Sequence, residues 1–148
     1  MPDKETLQRA AKDRREGKSP STQAGEFVRE EMHHIREGKH GASSPEQAIA
    51  IGLSKARRAG VPLKPPKPGE TSAETRRSAQ RAVLAGKRHK KASPTRSRAT
   101  RGALKRKDHT AASRKALARH AHKAAMRRSG RARSASARKA ARTRASHR

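Results

Sequence analysis

Apolar residues recur at helical spacing in two neighbouring segments of the chain, residues 20–37 and 45–59. In the first segment, one face carries Ala24, Val28, Met32 and Ile35, with Phe27 at its edge. In the second segment, one face carries Ala48, Ile49, Gly52, Leu53, Ala56 and Ala59. Each stripe needs an apolar partner, and the connection at residues 38–44 is short enough to join an antiparallel pair. The pattern therefore predicts a small helical hairpin.

Both segments also carry start and stop signals. A serine and then a proline precede each one, and a glycine follows each one, at Gly38 and Gly60. Ser44 and Gln47 have the spacing of a capping box. A thinner apolar stripe at residues 3–16 predicts another short helix, which is a candidate third member of the bundle.

Ile51 does not fit the apolar face of its segment. At 100° per residue it lies between Lys55 and Arg58, on the basic side of the predicted helix. A core would not use an isoleucine there. We therefore expect Ile51, Lys55 and Arg58 to form a contact for self-association or for a protein partner.

The composition changes after the hairpin. Residues 62–70 are rich in proline and predict a semi-rigid linker between a helical domain at 1–61 and a tail at 71–148. The tail has nascent helices at about 72–86 and 110–128, and from 129 onward its low complexity predicts disorder. The predicted fold class is all-α: a small helical hairpin, with or without the first helix, followed by a basic tail that is largely disordered or transiently helical.

Charge separates the two halves of the chain more sharply than hydropathy does. The formal net charge is +28, with 14 basic and 11 acidic residues in 1–74 but 26 basic residues and a single acidic one, Asp108, in 75–148. About 25 uncompensated positive charges repel one another unless a polyanion neutralises them. Such block asymmetry is typical of a nucleic-acid-binding arm.

The basic residues of the tail are the predicted nucleic-acid-binding residues. They are Arg76, Arg77, Arg81, Lys87, Arg88, Lys90, Lys91, Arg96, Arg98, Arg101, Lys105, Arg106, Lys107, Arg114, Lys115, Arg119, Lys123, Arg127, Arg128, Arg131, Arg133, Arg138, Lys139, Arg142, Arg144 and Arg148. Phe27 is the sole aromatic residue and is expected in the core, so stacking on single-stranded bases is disfavoured. The tail is expected to recognise backbone charge with little sequence preference.

These features favour one function over several alternatives. The leading hypothesis is a histone-like, nucleoid-associated protein that compacts duplex DNA through its tail. An RNA- or ribosome-associated basic protein is the first alternative, since arginine also stacks on bases. A partner-binding or stress-related helical module with a basic tail is the second. A membrane-active cationic protein ranks low, because the tail helices offer alanine faces rather than large apolar ones.

Other chemistries find little support in the sequence. Cysteine is absent, which excludes disulfides and thiolate metal sites. His33, His34 and His40 lie near glutamates, but without a His-x-x-x-His pair these contacts are expected to be surface ion pairs. No framework for a catalytic triad and no phosphate-binding loop is present. We expect no cofactor, no bound metal and no enzymatic activity.

No segment is apolar over the roughly 18 residues that a membrane span requires, and the N-terminus has no apolar signal-peptide core. No membrane partner is therefore expected. The expected location is the cytoplasm, in association with the nucleoid.

Two stretches together resemble a known family. The segment SPSTQAGEFVREEMHHIREGKHG, followed by SPEQAIAIGLSKARRAGV, is similar to a bacterial family of small basic proteins of unknown function. The resemblance covers residues 18–61, with a looser likeness at 103–128, and implies no established activity. The tail also resembles the Ala/Lys/Arg-rich tails of histone-like proteins, although it is richer in arginine than they usually are.

Overall fold

The computed structural model describes residues 1–88 and 93–146, and these residues are helical along nearly their whole length. The helices are α1 (Lys4–Arg15), α2 (Pro20–Arg36), α3 (Pro45–Arg58), α4 (Ala73–Lys87), α5 (Pro94–Lys105), a 3-10 turn at Thr110–Ala112, α6 (Arg114–Met126) and α7 (Gly130–Ser146). The chain forms two compact units, Met1–Ser113 and Arg114–Arg148. The predicted arrangement, a short hairpin followed by a largely disordered tail, is wrong.

The first three helices begin and end at the residues that carry capping signals. The Ser19 hydroxyl accepts a hydrogen bond from the backbone N–H of Thr22, and the Ser44 hydroxyl accepts one from that of Gln47. After α2 and α3 the chain leaves the helix through Gly38 (φ 73°) and Gly60 (φ 90°). Glycine adopts this left-handed conformation without the Cβ clash that other residues suffer.

The core of the first unit is built from few large side chains and several alanines. Phe27 and Ile35 are completely buried, and Ala10, Ala24 and Ala56 pack with Phe27 in one cluster. Small residues let the helices approach closely. At Gly52 of α3, an added Cβ would lie 2.7 Å from the Cα of Val28 in α2. This close approach allows a compact unit to form from a sequence with so little apolar volume.

The chain after residue 60 packs against the helical head instead of leaving it. Val61 and Leu63, at and just inside the start of the predicted linker, pack on the core cluster. Beyond the prolines, α4 lies against α3, where Gly86 is so close to the carbonyl of Arg57 that no side chain would fit. The hydroxyl of Ser72 caps α4 by accepting a hydrogen bond from the backbone N–H of Thr75. Alanine-lined helices pack this way because small side chains allow close contact.

The segment after α5 folds back and packs on the loop between α2 and α3. The N–H of Gly41 donates to the carbonyl of Leu104 at 2.9 Å, and the N–H of Ala42 donates to that of Asp108 at 3.0 Å. The side chain of Arg36 donates to the carbonyl of Ala112 at 3.0 Å. These bonds are made largely by backbone atoms, which explains why a hydropathy pattern does not reveal them.

The second unit consists of α6 and α7, and neither helix has a buried residue. Helix α7 occupies most of the region predicted to be disordered. Alanine, arginine and lysine are among the strongest helix formers, and in this segment their backbone propensity outweighs the effect of the charge. Within the unit, Arg133 donates to the carbonyl of Arg128 at 2.8 Å across the turn between the two helices.

The close contact at Gly52 leads to a paired prediction. The substitution Gly52→Ala should destabilise the first unit by about 1–3 kcal/mol, because the methyl group overpacks the contact between α2 and α3. The control is Gly25→Ala in α2, where an added Cβ meets nothing within 4 Å. That change should stabilise the helix by about 0.5–1 kcal/mol. Urea unfolding followed by circular dichroism measures both, and equal effects would contradict the close packing.

Candidate nucleic-acid interface and a buried charge cluster

The predicted nucleic-acid-binding residues are displayed on helices, and nearly all of them are exposed. Arg76 is half-buried, and Lys90, Lys91 and Arg148 lie outside the described residues. The exposed set consists of Arg77, Arg81, Lys87 and Arg88 on or just after α4; Arg96, Arg98, Arg101, Lys105, Arg106 and Lys107 on or just after α5; Arg114, Lys115, Arg119, Lys123, Arg127 and Arg128 on or just after α6; and Arg131, Arg133, Arg138, Lys139, Arg142 and Arg144 on α7.

These side chains have no acidic partners in the part of the chain that the structure describes. The ion pairs lie between residues 3 and 55 instead. Asp108, the one acid of the second half, accepts hydrogen bonds from the N–H and the hydroxyl of Thr110 at 3.1 and 2.8 Å. Those bonds hold the pKa of Asp108 below its ordinary value. Asp108 thus organises a turn and does not pair with a neighbouring cation.

Within each helix of the second unit, several cations share a face. Lys115, Arg119 and Lys123 follow one another at four-residue intervals along α6. Like charges at this spacing repel each other by a few tenths of a kcal/mol per pair. A bound polyanion would remove that repulsion. We therefore expect these helices to be more stable in a complex with a polyanion than in the free protein at low salt.

The first unit contains a different kind of polar site, a buried charge cluster formed by Asp3, Glu30, Glu31, His34, His40 and Lys55. Glu31 is fully buried, and the ammonium group of Lys55 contacts its Oε1. Lys55 also donates to Oε1 of Glu30 at 3.1 Å, while the backbone N–H of Asp3 donates to Oε2 of Glu30 at 3.0 Å. One lysine of α3 thus forms ion pairs with two adjacent carboxylates of α2.

Burial and pairing act in opposite directions on these groups. Burial raises the pKa of Glu30, but hydrogen bonds from Asp3 and Thr6 and the charge of Lys55 outweigh it, and the net pKa is lowered. Burial lowers the pKa of Lys55, and the two glutamates more than compensate, so its pKa is raised. Glu30 and Lys55 are therefore charged at neutral pH, and their ion pair joins α2 to α3.

The two histidines of the cluster are oriented by hydrogen bonds on their outer sides. Nε2 of His34 lies 3.1 Å from Oδ2 of Asp3, and Nδ1 of His40 lies 3.2 Å from the carbonyl oxygen of Gly41. The hydrogen bond from His34 holds the pKa of Asp3 below its ordinary value. On their inner sides, both rings face Glu31, with Nε2 of His40 at 3.4 Å from Oε2 and Nδ1 of His34 at 4.0 Å from Oε1. These are the residues of the described chain best placed to hold a metal ion.

The three residues expected to form a partner contact do not make one surface. Arg58 is exposed, Ile51 is half-buried, and Lys55 points inward to the glutamates. Ile49, placed by the sequence pattern at the centre of the apolar face, is also only half-buried. The three side chains therefore have different environments in the structure.

Sequence reasoning missed the buried cluster, although one signal for it was present. Phe27, Glu31 and Ile35 are spaced four residues apart, which places Glu31 on the apolar face of α2. A carboxylate on such a face needs a cationic or hydrogen-bonding partner. Nothing in the local pattern identifies that partner as Lys55, which lies in the next helix.

No helix among residues 1–88 and 93–146 is long and apolar enough to cross a lipid bilayer. Comparison with known protein families, with curated proteins and with solved structures finds no match to this chain. Functional inference therefore depends on the residues themselves.

The charge cluster leads to a second paired prediction. The substitution Lys55→Met should destabilise the first unit by about 3–5 kcal/mol, because it leaves two buried carboxylates without a cation. The control Arg58→Met removes an exposed charge from the same helix and should change stability by less than about 0.5 kcal/mol. Thermal or urea unfolding compares them. Similar small effects from both would mean that the cluster does not stabilise the fold.

Proposed function

We propose that the protein binds nucleic acid without sequence specificity, through the exposed lysines and arginines of α4 to α7, and that it compacts duplex DNA as a histone-like, nucleoid-associated protein. The observation that carries this proposal is the run of exposed basic side chains from Arg77 to Arg144 that have no carboxylate partners among the described residues. No catalytic step is part of the proposal.

The physical basis of binding is the release of counterions from the phosphate backbone. Each lysine or arginine that neutralises a phosphate frees condensed cations, so affinity is high at low salt and falls steeply as salt rises. Helical display supports this mode, because the side chains on an ordered helix lose less backbone freedom on binding than those on an unfolded chain.

Two features argue against specific base recognition and single-strand binding. Reading base edges requires hydrogen-bonding side chains held in a groove by a rigid framework. Helix α6 is composed mainly of Ala, Arg, Lys and His, and α7 mainly of Arg, Ala and Ser. Single-strand binding relies on aromatic stacking, and Phe27 is completely buried. Duplex backbone recognition therefore remains the favoured mode, and double-stranded or structured RNA is the closest alternative.

The salt dependence of DNA binding tests the proposal. The triple substitution Lys115→Gln, Arg119→Gln and Lys123→Gln should weaken binding of a random-sequence duplex. It should also reduce the slope of log affinity against log salt by about 2–3, since each phosphate that is no longer neutralised lowers the slope by about 0.9. The matched control replaces Lys12, Arg14 and Arg15 of α1 with Gln. These residues are exposed but lie in the charge-balanced half of the chain.

Fluorescence anisotropy across a salt series provides both slopes. Affinity that does not depend on salt, or equal losses of affinity in the two triple variants, would contradict binding through α6. Competition between duplex DNA and structured RNA at one salt concentration then distinguishes the two polyanions. A strong preference for RNA would support the ribosome-associated or RNA-associated alternative over DNA compaction.

A further inference from the structure

The hydrogen bonds of His34 and His40 define which nitrogen of each ring carries a proton. A carboxylate and a carbonyl oxygen only accept hydrogen bonds. Nε2 of His34, facing Asp3, and Nδ1 of His40, facing the Gly41 carbonyl, are therefore N–H donors. In the neutral imidazoles the remaining nitrogens, Nδ1 of His34 and Nε2 of His40, each present a lone pair.

Both lone pairs face the same buried carboxylate. The Glu31 side chain is only 1 % exposed, and among the described residues its Oε2 has no hydrogen-bond partner. Lys55 forms an ion pair at Oε1, which leaves Oε2 opposite the free nitrogen of His40 at 3.4 Å. Two nitrogen lone pairs and a carboxylate oxygen directed at one point repel each other unless a positive charge lies between them.

The spacing of these atoms suits a metal ion. One donor atom each from Glu31, His34 and His40 lies within 4.8 Å of the others. Tetrahedral ligands bonded at 2.0–2.1 Å are about 3.3 Å apart, so movements of about 1 Å or less would bring the three into coordination. The two rings are nearly perpendicular, at 82°. Each ring also donates its other N–H to an oxygen, which is the arrangement that orients histidine ligands around metals.

The charge of the cluster also suits a divalent cation. Asp3, Glu30 and Glu31 carry three negative charges and Lys55 carries one positive charge, so with neutral histidines the cluster has a net charge of −2. A polar groove of about 270 Å³, lined in part by Asp3, Glu30 and His34, opens beside the cluster.

We propose that Glu31, His34 and His40 form a binding site for a divalent transition metal, with Zn²⁺ the best match to two imidazoles and one carboxylate. Asp3 and the Gly41 carbonyl orient the two histidine ligands. Magnesium and calcium prefer sites made of oxygen ligands and do not fit this set.

A metal at this position would have a structural effect beyond α2. His40 lies in the loop between α2 and α3, and its neighbour Gly41 donates to the carbonyl of Leu104. Coordination of His40 would therefore fix the loop on which the segment after α5 docks. The site goes beyond nucleic-acid binding and does not depend on it, because its ligands lie outside the basic helices.

Isothermal titration of the full chain with Zn²⁺ tests the site. We expect one saturable high-affinity equivalent, a rise in melting temperature on Zn²⁺ addition, and no comparable effect of Mg²⁺. His40→Gln and His34→Gln should each weaken binding by about a hundredfold or more, because each removes a ligand. Asp3→Asn should weaken it less, about tenfold, by releasing the orientation of His34. The control His33→Gln removes an exposed histidine one position from His34 and should leave affinity unchanged.

Co²⁺ binding provides a second test that does not require a folded histidine variant. Co²⁺ added to the unmodified chain should produce the visible absorption of a tetrahedral site with nitrogen ligands, and Zn²⁺ should displace it at one equivalent. Absence of a one-to-one Zn²⁺ complex, or wild-type affinity in a folded His40→Gln variant, would overturn the proposal.

Discussion

The pairing of Lys55 with Glu30 and Glu31 is the interaction on which the helical head depends. Two adjacent carboxylates on α2 are withdrawn from water. A single ammonium group from α3 pairs with both and so offsets part of the cost of their desolvation. The close approach of α3 at Gly52 brings that lysine within reach. A buried ion pair contributes little net stability relative to an apolar core. Removing one of its partners, however, destabilises the fold strongly, because the other charge is left buried and unpaired. The pair therefore specifies how α2 and α3 meet, and the face of α3 that carries Arg57 is left to receive α4.

Small residues explain how a chain with so few large apolar side chains builds a compact unit. Alanines and glycines at helix contacts let the helix backbones approach closely, so that large side chains are not needed to fill the space. Gly52 against Val28 and Gly86 against Arg57 are examples. Backbone hydrogen bonds at Gly41 and Ala42 then attach the segment at 104–108 without any large apolar side chain. The low content of large hydrophobic residues predicts disorder after residue 70. Packing by small residues explains why α4 is ordered, and helix propensity explains α7, which has no buried residue.

Acidic and basic residues have different roles in this protein. Most acids of the first half are engaged in ion pairs and hydrogen bonds, including the buried Glu30 and Glu31. The bases of the second half are exposed on helices and have no carboxylate partners in the described residues. This segregation supports a protein whose folded head is internally balanced, while its basic helices are available to a polyanion. The proposed metal site lies in the balanced part.

The sequence by itself determined the features that depend on local chemistry. Ser19, Ser44 and the glycines after each helix set the ends of α2 and α3, and the excess of lysine and arginine after residue 75 set the character of the exposed surface. Tertiary structure decided what depends on distant partners: that Lys55 points inward, that His34 and His40 meet at Glu31, and that residues 104–112 return to the loop at Gly41. Capping and charge act within a few residues of the chain. The contacts of His40 with Glu31, of Lys55 with Glu30 and of Arg36 with Ala112 join residues 9, 25 and 76 positions apart, and no local pattern records such a pairing.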